Sequence, residues 1–103
     1  MGRRYSIEFA RAALDQMVDF STRVQNMIID GIAKKLSFEP ASETRNQKPL
    51  RPNQLAPWEL RIGKYRVFYD IDMDNHRVFV LAVGIKERNV LYIGGKEIGF
   101  EDN

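Results

Sequence analysis

The chain has 103 residues, of which 44% are hydrophobic and 29% charged, with a formal net charge of +2. That is the size and balance of one globular domain, and it excludes an intrinsically disordered chain. With no cysteine and one histidine, disulfide frameworks, thiolate metal centres, His-based zinc sites and Ser-His-Asp or Cys-His nucleophiles fall away, so any chemistry is expected to run without metal or cofactor.

Residues 1–103 read as a single domain without repeat, linker or low-complexity tract. The opening MGRRYSIEF has two arginines but no apolar leader region. No run approaches the ~20 residues of a membrane span, which predicts a cytoplasmic chain without a membrane partner. Tyr5 to Phe9 alternates apolar and polar residues and predicts a first strand. Ala10 to Phe20 is rich in helix formers, with Ala13, Leu14, Met17 and Val18 forming one apolar stripe. Ser21-Thr22 offers N-cap hydroxyls for a second helix. In it Val24, Met27, Ile28, Ile32 and Leu36 keep the helical period, and Phe38-Glu39-Pro40 ends it.

Residues 40–57 contain all four prolines and predict a long loop, of a length usually reserved for function. Trp58, Leu60 and Ile62 then alternate with Glu59 and Arg61, so the strand has one apolar and one charged face. Gly63-Lys64 predicts a two-residue turn into Tyr65–Asp72, where Tyr65, Val67, Tyr69 and Ile71 face away from Arg66, Phe68 and Asp70. Asp74-Asn75 is expected to turn the next hairpin, and His76 to be an exposed turn residue. Arg77 to Ile85 is apolar on both parities, as in a central strand covered on both faces. Val90 to Ile93 reads as a short last strand broken by Gly94-Gly95. The prediction is an α+β fold: a two-helix N-terminal hairpin packed on a curved, largely antiparallel four-stranded sheet, whose other face is basic.

The charge is unevenly placed. Residues 45–66 hold Arg45, Lys48, Arg51, Arg61, Lys64 and Arg66 against Glu59 alone, a cluster that attracts phosphate or acidic protein. Two tempting motifs fail. Asp70 to Asn75 starts like a calcium loop but lacks glycine at its sixth position and has Leu81 at its twelfth. Gly95-Lys96-Glu97 lacks the upstream glycine and the hydroxyl residue of a phosphate-binding loop. What remains is Arg, Lys, Tyr and a Glu, a set suited to cleaving RNA by its own 2′-hydroxyl. The substrate brings the nucleophile, and the protein must orient it, stabilise charge on phosphorus and move protons.

The run Gly63-Lys64-Tyr65-Arg66-Val67-Phe68-Tyr69, then Phe79 to Arg88 (FVLAVGIKER) and Tyr92, resembles the RelE/ParE superfamily of bacterial toxins. Lys48-Pro49-Leu50, Trp58–Ile62 and the N-terminal strand and helices fit the same pattern. The resemblance implies an antitoxin that wraps and silences the toxin, with operator DNA met only through that complex. RelE-like members cut mRNA in the ribosomal A site, whereas ParE-like members poison DNA gyrase without a catalytic cluster. By position, the resemblance gives Arg66 the role of stabilising the scissile phosphate, Tyr92 that of stacking on a base, and Lys86 that of acid for the leaving oxygen. Arg61 stands where a lysine base is often found and Glu59 where another lysine binds. Arginine is never deprotonated, so Arg61 reads as a phosphate clamp and Glu59 as the proton acceptor. Arg45, Lys48, Arg51, Lys64 and Arg88 are expected to contact the RNA backbone. The preferred expectation is a ribosome-dependent, metal-independent mRNA endoribonuclease. The alternatives are a gyrase inhibitor and a degenerate member that binds only its antitoxin.

Overall fold

Two long strands form the spine of the sheet, and every other element is placed by how it leaves or covers them. The structure, a computed structural model, describes residues 3–99. In chain order the elements are β1 (Ser6–Phe9), α1 (Arg11–Met17), α2 (Thr22–Leu36), β2 (Gln47–Pro49), β3 (Trp58–Ile62), β4 (Tyr65–Asp72), β5 (Arg77–Glu87), β6 (Val90–Ile93) and β7 (Lys96–Ile98). The sheet order is β2-β3-β4-β5-β6-β7, all neighbours antiparallel, and β1 adds to β5 in parallel. The α+β class and helical hairpin are as expected, but among the described residues the sheet has seven strands rather than four. No helix among the described residues is long and apolar enough to cross a membrane.

The extra strands come from segments whose composition argued against them. β2 lies inside the proline-rich loop, started by Thr44, whose Oγ1 accepts from the Asn46 and Gln47 amides. Pro49 is tolerated because β2 is the sheet edge, where an absent N–H leaves no partner unpaired. Beyond β6, Gly94 and Gly95 adopt φ of 61° and 80° and turn the chain back as β7. A glycine pair read as a breaker is here the turn of a hairpin.

α2 starts as expected, with Ser21 Oγ accepting from the Val24 amide at 3.2 Å, and buries Ile28, Ile32 and Leu36 at four-residue spacing. α1 has no side-chain cap and stops at Met17, three residues short of the expected end. The Phe20 amide closes a tight turn on the Met17 carbonyl, and the Phe20 ring meets Tyr65 edge-on at 5.4 Å. Burial of one face, not helix propensity, fixes such a short helix.

Both faces of the sheet are covered, as β5 alone had predicted. Between the sheet and the helices lie Ala13, Met17, Ile28, Ile32, Leu36, Leu60, Val67, Tyr69, Val78, Val80 and Val83. The opposite face carries a second cluster of Ala56, Phe68, Ala82, Leu91 and Ile93, packed under Leu50, Leu55, Leu81 and Ile98. The expectation of an open basic face is thus corrected: loop 50–57 and β7 roof over much of it. A register shift at Phe68/Tyr69, where Phe68 pairs with Ala82 and Tyr69 with Val80, lets β5 feed both cores. The Asp74-Asn75 turn is also revised. The positive φ, 52°, falls on His76, which is half-buried with its ring 4.8 Å from that of Tyr5.

Candidate functional site

Strand alternation turns Glu59 away from Trp58 and Leu60 and onto the second face, where it is 4% exposed. Register then decides its neighbours. Lys48 and Phe68 flank Glu59 on β2 and β4, and Arg61 pairs directly with Arg66. Two arginines facing each other across an antiparallel pair repel. Glu59 lies between them: its carboxylate is 3.3 Å from Arg61 Nε, 3.8 Å from Arg66 Nε and 4.0 Å from Lys48 Nζ. Three cations on one buried carboxylate leave a net positive cluster that still attracts a phosphate. Arg66 is further fixed by donating from Nη1 to the carbonyls of Gly63 and Tyr65, at 2.8 and 3.0 Å. Its guanidinium is therefore oriented before any ligand arrives.

Lys86, at the end of β5, shares its face with Ala82 and Gly84. It and Glu59 line one cleft of about 210 Å³, closed on its far side by Leu91 of β6 and by Ile98 and Gly99 beyond the β6–β7 turn. Lys86 also lines a second, wider cleft of about 520 Å³ with Lys64, Arg88 and Tyr92. Tyr92 pairs with Ile85, which pairs with Tyr65, so its side chain belongs to the helix-side face. Glu59, Arg61 and Arg66 are on the other. Lys86 and Val90 line both clefts, and of the two only Lys86 carries a charge.

The remaining basic residues are scattered. Lys64 pairs with Glu87 at 3.7 Å near the second cleft. Arg45 is exposed in the loop before β2. Arg51 is exposed at an apolar groove formed with Leu50, Leu55 and Leu81, away from Glu59. Sequence reasoning missed Asn89, in the β5–β6 turn, and Glu97, carried by β7, which both line the Glu59 cleft.

Residues 7–90 match the family model described as the ParE toxin of the type II toxin–antitoxin system, parDE. The chain belongs to the ParE toxin family. Among solved structures, this ParE-family toxin is similar to the crystal structure of the toxin–antitoxin complex RelBE2 from Mycobacterium tuberculosis. The likeness has a TM-score of 0.71 and 28% sequence identity, and covers 81% of this chain and 92% of that one. No curated protein matches it. The RelE/ParE resemblance read from Gly63–Tyr69 and Phe79–Arg88 therefore stands for a toxin of a type II toxin–antitoxin system.

Proposed function

We propose that this toxin is a ribosome-dependent endoribonuclease acting in the cytoplasm on mRNA, and that the Glu59–Lys86 cleft is its active site. The observation that carries the reading is that a buried carboxylate and an ammonium line one cleft beside two arginines. Glu59 accepts the proton of the 2′-hydroxyl as that oxygen attacks phosphorus. Lys86 donates a proton to the 5′-oxygen as the P–O5′ bond breaks, giving a 2′,3′-cyclic phosphate and a free 5′-hydroxyl. Arg61 and Arg66 hold the non-bridging oxygens where charge develops. Tyr92, across Lys86, stacks on a neighbouring base, and Lys48, Lys64 and Arg88 carry the backbone on either side. A cognate antitoxin silences the toxin by covering this positive surface with an acidic segment, and operator DNA is reached only through that complex.

A second reading, a gyrase inhibitor, is favoured by the ParE family match and by Glu59 already occupying the space between three cations. One experiment separates the two. The toxin is incubated with translating ribosomes and the mRNA ends are mapped, while gyrase supercoiling is assayed in parallel. Cleavage that falls at least a hundredfold in folded Arg66→Ala with Lys86→Ala supports the ribonuclease. Intact mRNA together with inhibited supercoiling supports the gyrase inhibitor.

A further inference from the structure

Two consecutive hairpins on one side of the sheet use the same kind of turn and fill it differently. Between β6 and β7 the two left-handed positions are Gly94 and Gly95, which adopt them freely. Between β5 and β6 they are Arg88 and Asn89, at φ of 54° and 67°. Arginine is poorly suited to positive φ, whereas asparagine is one of the residues such a turn favours. The two side chains retained there border different clefts: Arg88 the one with Tyr92, Asn89 the one with Glu59 and Lys86.

Asn89 is exposed and, like Asn46 but unlike Asn53 and Asn75, its side chain is not tied within the described residues; of these four asparagines it is the one that lines the Glu59 cleft. The Asn53 amide bonds the carbonyls of Arg51 and Ala56, and the Asn75 amide bonds the Asp72 carboxylate. Among the described residues, none holds the Asn89 amide in this way. It is an uncommitted donor–acceptor pair on the wall of a cleft of about 210 Å³. We propose that Asn89 is a base-reading residue: it selects adenine at the nucleotide beside the scissile phosphate, through a two-point match of its amide to N6 and N7. That pattern is unique to adenine among the bases an amide can address on this edge.

The proposal rests on the ribonuclease reading. Its test is the distribution of mapped mRNA ends for three chains on translating ribosomes. Asn89→Gly relaxes the turn while removing the amide. Asn89→Asp keeps tolerance of positive φ but leaves acceptors only. Wild type is expected to favour adenine at one position flanking the cut by about tenfold. Asn89→Gly should level that preference relative to other sites, and Asn89→Asp should move it toward cytosine, whose N4 amine is a donor. An unchanged base distribution in Asn89→Gly overturns the proposal while leaving the ribonuclease intact. Absence of any cleavage by wild type overturns both.

Discussion

Glu59 and Arg66 stand diagonally across β3 and β4, and the 3.8 Å between carboxylate and Nε keeps Arg66 from directly opposing Arg61 without a counter-charge. Glu59 is 5% exposed and Arg66 12% at the side chain, so water screens the pair little. Removing one member of a buried pair strands the other, at roughly 3–5 kcal/mol. Glu59→Ala is therefore expected to lower urea-unfolding stability by about 3 kcal/mol. Where the chain still folds, as in Glu59→Gln, affinity for a non-cleavable RNA should rise while cleavage falls. A filter-binding titration beside the cleavage assay checks both directions.

Tyr69 is fully buried and its hydroxyl donates to the Pro40 carbonyl at 2.7 Å, tying the end of the helical region to the sheet. Burial pushes its phenol up to about 12 from 10.0, with the Gln47 side chain pulling the other way. A raised folded-state value means that the folded chain holds this proton more tightly than the unfolded one. The resulting stability is complete below pH 10 and is lost as pH rises toward 12, roughly 2–3 kcal/mol in all. Tyr69→Phe should cost about 1–2 kcal/mol at pH 7 by leaving the carbonyl unpaired, and should flatten the decline between pH 10 and 12. Denaturation across that range, with tyrosinate absorbance, measures both.

Glycines 31 and 84 look alike by distance and should behave differently. A Cβ on Gly84 would lie 2.5 Å from the Tyr92 carbonyl oxygen, in backbone that is locked into the β5–β6 ladder. A Cβ on Gly31 would lie 2.7 Å from Ile62 Cδ1, the free end of a side chain that can rotate away. Helix propensity also returns about 1 kcal/mol to Gly31→Ala, since Gly31 is inside α2. We expect Gly84→Ala to cost about 3 kcal/mol or more, and Gly31→Ala to lie within about 1 kcal/mol of wild type. Thermal unfolding of the two variants decides it.

Gln16 closes a gap in the sheet. β1 pairs with Arg77–Val80 of β5, and β6 takes over only at Gly84, so the amide of buried Val83 has no strand partner on that side. Gln16 Oε1 accepts from it at 2.8 Å. Gln16→Ala should cost about 1–3 kcal/mol, the penalty of an unmet buried N–H. Hydrogen exchange at the Val83 amide should also speed up locally. Exchange as slow as in wild type would mean that water or a shift of β1 replaces the side chain.

The sequence by itself determined the class of fold, the helical hairpin, the β3–β4–β5 spine and the family. Each of these rests on local signals: the period of Val24 to Leu36, the alternation of Trp58 to Ile62, the Gly63-Lys64 turn and the run from Phe79 to Arg88. The residues of the site were also legible as types, since a cation cluster with one carboxylate is visible in composition alone. Tertiary structure decided what those residues face. Glu59 lies on the face of the second apolar cluster, in a cleft walled by β7, and β7 was missed because Gly94-Gly95 reads as a break although a glycine pair also makes a hairpin turn. Lys48, Arg61 and Arg66 meet on Glu59 through cross-strand register, which no single strand encodes. Register likewise puts Tyr92 on the face opposite Arg66 and sets Lys86, with Val90, between two clefts. Residue chemistry is carried one position at a time, whereas a site depends on which strands pair and in what alignment, and that is fixed by burial over the whole sheet.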